Sequence, residues 1–503
     1  MSSLKKLASQ TAYYGLSSIL GRMLNYALVP LHTRILTSQL DYGIVGELYS
    51  YVSFLNIIFL YGMETAFFRF ATRDKGAEQT WYSNAFTSVL TSSVILTGLM
   101  IFFSGDILQW LQPEGSPAVY LQEYVIYFAL VLGLDAISAI PFAKLRLDNR
   151  PLKFAGIKVF GIAVNVLLNV FFLVYCPYAL KQDASSWVAS IYTEGRPLHY
   201  IFLANVVASV APLILLYREI LSARIRIHWQ QLKPMLVYSL PLLFAGLAGM
   251  TNETMDRILL KYYLPGTVEE RLAQIGVYNA AYKLSIFMTL AIQSFRMAAE
   301  PFFFSMYKES NSAEVYARVM KYFVIVCCMI FLGVMLHIDI IAELIGGLYR
   351  AGIFVVPVLL MANLFFGIYL NLSIWYKLTE KTMYGTYFTL FGAFLTILLN
   401  ILWIPHYGYE GSAYATLICY LMMAVACYIT GQKYYPIPYP LGKIIGYMAC
   451  MLAVYGLSWL TRKYLFEAGT LAAQLVNSFL FVFFVISVYY AERKSLLRKT
   501  YAN

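Results

Sequence analysis

Fourteen apolar stretches recur along this 503-residue chain, centred near residues 20, 52, 93, 130, 164, 208, 245, 286, 328, 361, 394, 420, 452 and 480. A helix needs about twenty apolar residues to cross the hydrocarbon core of a bilayer, so fourteen of them use roughly 280 positions and leave only short connections. Composition agrees with that reading. Mean hydropathy is +0.66, and 60% of residues are hydrophobic against 13% charged, far from a soluble domain. The sequence predicts an all-α polytopic membrane protein with about 14 transmembrane helices.

The connections alternate between basic and nearly charge-free. Of the 37 Lys and Arg residues, 26 lie in every second connection counted from the N-terminus and 9 in the intervening ones, while Arg22 and Lys283 lie inside spans. Basic residues stay on the cytoplasmic side, which predicts a multi-pass inner-membrane protein with both termini cytoplasmic. A net charge of +11 would suggest nucleic acid in a soluble protein. Here most of the excess sits in the cytoplasmic connections, where it sets topology and meets anionic membrane lipids. No nucleic-acid partner is expected.

Other classes are set aside by what the chain lacks. The longest external connection, Pro177 to His199, is too short for a catalytic domain. Phosphate-binding loop, H-E-x-x-H and G-x-S-x-G signatures are missing, so neither ATP hydrolysis nor another enzymatic activity is expected. The six cysteines (Cys176, Cys327, Cys328, Cys419, Cys427, Cys450) form no Cys-x-x-Cys pair and no metal spacing with histidine. They read as buried packing residues, with no metal and no cofactor. The first ten residues lack a small-residue cleavage site and read as a cytoplasmic lead into the first span.

The chain reads as two related halves. Thr33-Arg34-Ile35-Leu36 corresponds to Asp256-Arg257-Ile258-Leu259, Tyr42-Gly43-Ile44-Val45 to Ile275-Gly276-Val277-Tyr278, and Val166-Leu167-Leu168-Asn169-Val170 to Ile397-Leu398-Leu399-Asn400-Ile401. The offsets are 223, 233 and 231 residues. Six spans per half give both copies one orientation, as in parallel-repeat transporters. The expected organisation is two pseudo-symmetric six-helix bundles, residues 1–217 and 234–432, joined by a basic linker at 218–233, with two further helices in 433–503. The linker (Arg224, Arg226, His228, Trp229) reads either as an amphipathic helix on the cytoplasmic surface or as a solvated connection.

Charge inside a span is costly and faces a cavity or a partner. Arg22 sits mid-span with Asn25 on the same face, and Lys283 lies a third of the way into the eighth span. One from each half, they would line a cationic cavity suited to an anionic substrate such as a diphosphate. The alternative for Arg22 is an ion pair with an acid such as Glu47. Arg34 and Arg257 at external span ends, and Arg69 and Arg296 at cytoplasmic ends, are further substrate candidates or snorkelling anchors. Asp135, Glu64 and Glu47 are the acids placed to couple transport to an ion, or else to pair with nearby bases.

Several segments carry a family resemblance. They are Gly21 to Phe70 with Arg34-Ile35-Leu36 and Tyr42-Gly43, then Asp256-Arg257 with Gly276-Val277-Tyr278, Tyr282-Lys283 and Pro301, and Pro405-His406-Tyr407-Gly408-Tyr409-Glu410-Gly411-Ser412-Ala413, a Pro-x-Tyr-Gly-x-x-Gly-Ala turn. With these the chain resembles the bacterial polysaccharide-unit (O-antigen and capsule repeat) flippases of the multidrug/oligosaccharidyl-lipid/polysaccharide exporter superfamily. The resemblance implies alternating access and an undecaprenyl-diphosphate-linked oligosaccharide as cargo. It also implies a polysaccharide polymerase and glycosyltransferases as partners. A cation-coupled multidrug exporter and a lipid II flippase remain alternatives. The drug exporters usually stop at twelve spans. The lipid II branch carries an arginine just before its Leu-Gly pair and an Arg-Arg pair late in span 2, where this chain has Ser18-Ile19 and Asn56-Ile57. A membrane polymerase or ligase fits least, because the external connections are short and poor in acids and bases.

Overall fold

The computed structural model describes residues 23–24, 26–74, 76–112, 119–307, 309–465 and 469–500. All regular structure among them is helical. Among the described residues eleven helices are long and apolar enough to cross a membrane, and the bent pair Val268–Leu284 and Ile286–Met306 makes a twelfth candidate. The helix Met383–Tyr434 is itself two spans, because the backbone leaves helical geometry at Gly408 (φ 60°, ψ −145°). Thirteen of the fourteen predicted centres thus fall in described helices. The one near residue 20 lies outside them, as do Arg22 and Asn25.

We label the principal helices in chain order: α1 Leu28–Ile35, α2 Gln39–Leu60, α3 Met63–Arg73, α4 Glu78–Phe102, α5 Gln122–Leu147, α6 Pro151–Val170, α7 Pro197–Leu215, α8 Trp229–Tyr263, α9 Val268–Leu284, α10 Ile286–Met306, α11 Ser312–Leu336, α12 Val356–Leu372, α13 Met383–Tyr434, α14 Leu441–Tyr464 and α15 Leu471–Thr500. The chain divides into two compact units, Met1–Asn279 and Ala280–Asn503.

In the first unit α2 and α3 form one interrupted span, broken at Tyr61-Gly62, where both residues take positive φ. An aromatic core forms around that break, where Phe59, Phe67 and Phe70 pack with Trp81, Tyr82 and Phe86 of α4 and with Leu232 and Met235 of α8. The linker departs from a single amphipathic helix. After a six-residue helical turn, Tyr217–Ser222, residues 224–228 have no regular secondary structure, and α8 begins at Trp229. The chain turns at Ile225, where the Arg226 amide donates to the Arg224 carbonyl at 2.8 Å, and the β-branched Ile225 and Ile227 are poor helix formers.

The second unit is organised around α11, which packs against α10, α12, α14 and α15. The last two helices are fixed to it at both ends. Glu492 on α15 accepts from Lys321 of α11 and, on α14, from Lys443 (3.1 Å) and Tyr447 (2.7 Å). At the opposite end Arg462 of α14 meets Asp339 at 3.2 Å. The α13 hairpin closes on itself: Ser412 Oγ donates to Asn400 Oδ1 (2.7 Å), and Cys419 Sγ reaches the Gly392 carbonyl (3.3 Å). The reversal needs Gly408, whose φ/ψ is essentially closed to other residues. It also needs Gly411, where a Cβ would lie 2.7 Å from the Trp403 carbonyl.

Candidate functional site

Two polar assemblies lie among the apolar helices of the first unit. The first joins α2, α8 and α9. Helix α8 presents Asp256, Arg257 and Lys261 on adjoining turns of one face, and all three are buried together with Glu47 of α2. Lys261 Nζ donates to Glu47 Oε1 at 2.6 Å and to the Leu111 carbonyl at 2.8 Å, and Tyr120 donates its phenol to Glu47. Burial, then the neighbouring Glu47 charge, pushes the Tyr120 phenol well above its ordinary range, so it stays a donor. Arg257 Nη1 contacts Asp256 Oδ1 at 2.8 Å and its Nε reaches Asn279 Oδ1 at 3.3 Å, while Tyr278 donates to Asp256 at 2.8 Å. Two acids and two bases sum to zero formal charge, and that balance lets such a group sit out of water.

Glycines bring these helices together. A Cβ on Gly43 would strike the Leu272 carbonyl, and one on Gly276 would strike the Gln39 carbonyl and come within 3.0 Å of the Gly43 nitrogen. One on Gly46 would overlap the Asn279 amide. The segments matched in the sequence, Tyr42-Gly43 and Ile275-Gly276, therefore touch, and each glycine meets the carbonyl four residues before the other. Small residues permit such backbone contact between membrane helices.

The second assembly runs through α1, α2, α5, α6 and α7. His32 Nε2 and Asn169 Oδ1 are 2.8 Å apart, Asn169 donates to Asn165 Oδ1 at 2.9 Å, and Asn165 donates to Asn205 Oδ1 at 3.3 Å. Tyr49 lies beside Asn205 and Asp135. Asp135 in turn lies near Ser209 and Lys158. Asp135 and Lys158 keep exposed surface although helices enclose both. An acid and a base exposed within apolar spans would be costly against lipid.

The other predicted residues are distributed as follows. Glu64 pairs with Arg146, which fixes the α3 start to the α5 end. Arg69 is exposed and lies 4.1 Å over the Tyr238 ring. Arg296, also exposed, meets Glu300 at 3.4 Å, and Lys377 shares that acid. Arg34 is exposed at the end of α1, and Lys283 is half-buried near the end of α9. Arg257, read as an external-end base, is instead buried beside Asp256. Glu47 is held by Lys261, a residue the sequence reading missed. Its signal was its position one helical turn after Arg257, on the same face. Among the described predicted residues, Glu47 and Arg257 are both buried at the α2–α8–α9 junction, Glu47 on Lys261 and Arg257 on Asp256 and Asn279. Among the described residues no three His, Cys, Asp or Glu side chains gather as a metal site.

Comparison with known proteins places these features. The profile of the polysaccharide biosynthesis protein family matches residues 7–307, more than half of the chain. A lipid II flippase, MurJ, in an inward closed conformation superposes with a TM-score of 0.71 at 14% identity, over 95% of this chain and 99% of its own. An inward-facing multidrug resistance MATE family transporter of the MOP superfamily gives 0.60 at 16% identity, over 84% and 94%. A MOP superfamily transporter from Pyrococcus furiosus gives 0.57 at 15%, over 84% and 95%. These likenesses are of fold. No curated protein sequence matches the chain.

Proposed function

Since the chain belongs to the polysaccharide biosynthesis protein family, we propose that it flips an undecaprenyl-diphosphate-linked oligosaccharide across the bacterial inner membrane by alternating access. The direction is cytoplasm to periplasm, with both termini cytoplasmic, and the cargo arrives from glycosyltransferases and leaves to a polymerase. The observation that carries this reading is the pairing of the family match with a transporter fold whose apolar helices enclose ionisable groups, Asp135 and Lys158. A polar, charged opening within spans is what an amphiphile with a diphosphate head requires.

In this scheme the cargo diphosphate is met by Arg22, Asn25 and Lys283, with Arg34, Arg257, Arg69 and Arg296 along its route. The α2–α8–α9 junction closes the external end between cycles. Of the three candidate acids, Asp135 is the one to exchange an ion, because Glu47 and Glu64 are occupied by Lys261 and Arg146. Protonating Asp135 removes a charge that is costly inside a span.

The test is a reconstituted flipping assay in vesicles, with a polyprenyl-diphosphate oligosaccharide, lipid II and a cationic drug as alternative cargoes. The reading expects movement of the oligosaccharide carrier. Movement of lipid II alone assigns the chain to that branch, and movement of the drug alone to the exporters.

A further inference from the structure

The segment that joins α7 to α8 is an exposed strip of unusual composition. Arginines and large apolar residues are interleaved in it, and Arg224 through Trp229 are all exposed. Ile225 is 70% exposed, Ile227 51% and Trp229 62%. Large apolar side chains this open, at the boundary of two membrane spans, cover no part of the protein.

The strip is built rather than loose. The Arg224 amide donates to Ser83 Oγ at 3.1 Å, and the His228 amide donates to Asn84 Oδ1 at 2.7 Å. Gln79 holds the Ser222 carbonyl just before it, and Asn84 also binds Gln231 just after. Three residues at the start of α4 thereby fix the height and orientation of the strip. Its charge is unopposed. The one acid of the segment, Glu219, is buried and taken by Lys153 at 2.7 Å, with Arg150 at 4.0 Å. Among the described residues no ion pair engages Arg224 or Arg226, and both are exposed.

We propose that this strip docks anionic phospholipid. Headgroup phosphates seat on Arg224 and Arg226, and Ile225, Ile227 and Trp229 enter the acyl boundary beside them. Guanidinium groups grip phosphate in bidentate fashion. Exposed large apolar side chains beside exposed arginines are the composition of segments that lie in the plane of the interface. The backbone bonds to Ser83 and Asn84 lower the conformational cost of docking, because less of the strip has to be ordered when lipid arrives.

Two measurements on the full-length protein test it. In vesicles of phosphatidylcholine containing phosphatidylglycerol, spin-labelled lipid reports the preference of the protein for each headgroup. The wild type is expected to prefer phosphatidylglycerol, Arg224→Gln/Arg226→Gln to lower that preference by about twofold to fivefold per charge removed, and Arg224→Lys/Arg226→Lys to retain most of it. An unchanged preference in the glutamine variant overturns the proposal. In brominated lipid, the difference in fluorescence quenching between wild type and Trp229→Phe isolates Trp229. Quenching supports insertion. No quenching overturns it and leaves the strip to a soluble protein partner.

Discussion

Breaking the Glu47–Lys261 pair gives the most exacting test of the α2–α8–α9 junction. Glu47 has no exposed surface and Lys261 has 3%. In Lys261→Met the carboxylate keeps only the Tyr120 phenol, and in Glu47→Gln the ammonium keeps its bond to the Leu111 carbonyl and a weaker amide acceptor. Leaving one member of a buried pair uncompensated costs about 3–5 kcal/mol, whereas replacing both with uncharged groups of similar volume is often close to neutral. Independent effects would sum to roughly 6–10 kcal/mol in the double variant, so a double variant that loses no more than about 2 kcal/mol reveals coupling of several kcal/mol. Purified wild type, both single variants and the double variant would be unfolded by SDS titration, with the buried cysteines as thiol-labelling reporters. Single-variant losses that add in the double variant to within about 0.5 kcal/mol would refute the reasoning.

The other predictions are simpler. Gly408→Ala is expected to cost about 1–3 kcal/mol, because φ 60° and ψ −145° are nearly closed to a residue with a Cβ; thermal unfolding of the pure protein reads it. Asp135→Asn is expected to remove any dependence of flipping on an ion gradient while membrane abundance is unchanged, and retained dependence in vesicles would exclude Asp135 as the coupling acid. Lys283→Ala and Arg22→Ala are expected to abolish surface polysaccharide with protein levels intact, and Arg22→Lys to keep more activity than Arg22→Ala. Normal surface polysaccharide in both alanine variants counts against a cationic cavity. Arg224→Cys is expected to resist an impermeant external thiol reagent in intact cells, as the distribution of basic residues requires.

The sequence made the spans legible because the hydrocarbon core imposes a length and an apolar composition that each stretch carries by itself. The α13 hairpin was legible for a related reason: Pro405, Gly408 and Gly411 mark the reversal within seven residues. Partners of intramembrane charges were not. Glu47 and Lys261 are 214 residues apart, and nothing local to either says that α2 and α8 lie side by side. The same holds for Asp135, whose neighbours Ser209 and Lys158 come from two other helices. The exposed strip was half legible. Its basic character is local to the sequence, yet the bonds to Ser83 and Asn84 that hold it come from α4.

The charge balance of the α2–α8–α9 junction also has an electrical meaning. Glu47, Asp256, Arg257 and Lys261 carry two charges of each sign. A charge crossing the full membrane field gains or loses about 2.3 kcal/mol per 100 mV, but a neutral group displaced as one body exchanges no work with that field. Membrane voltage therefore does no net work on these four groups when they move together. Voltage sensitivity of a transport cycle would have to enter through unbalanced charge, such as that of Arg271, which donates to the Lys261 carbonyl at 3.2 Å, or of an anionic cargo.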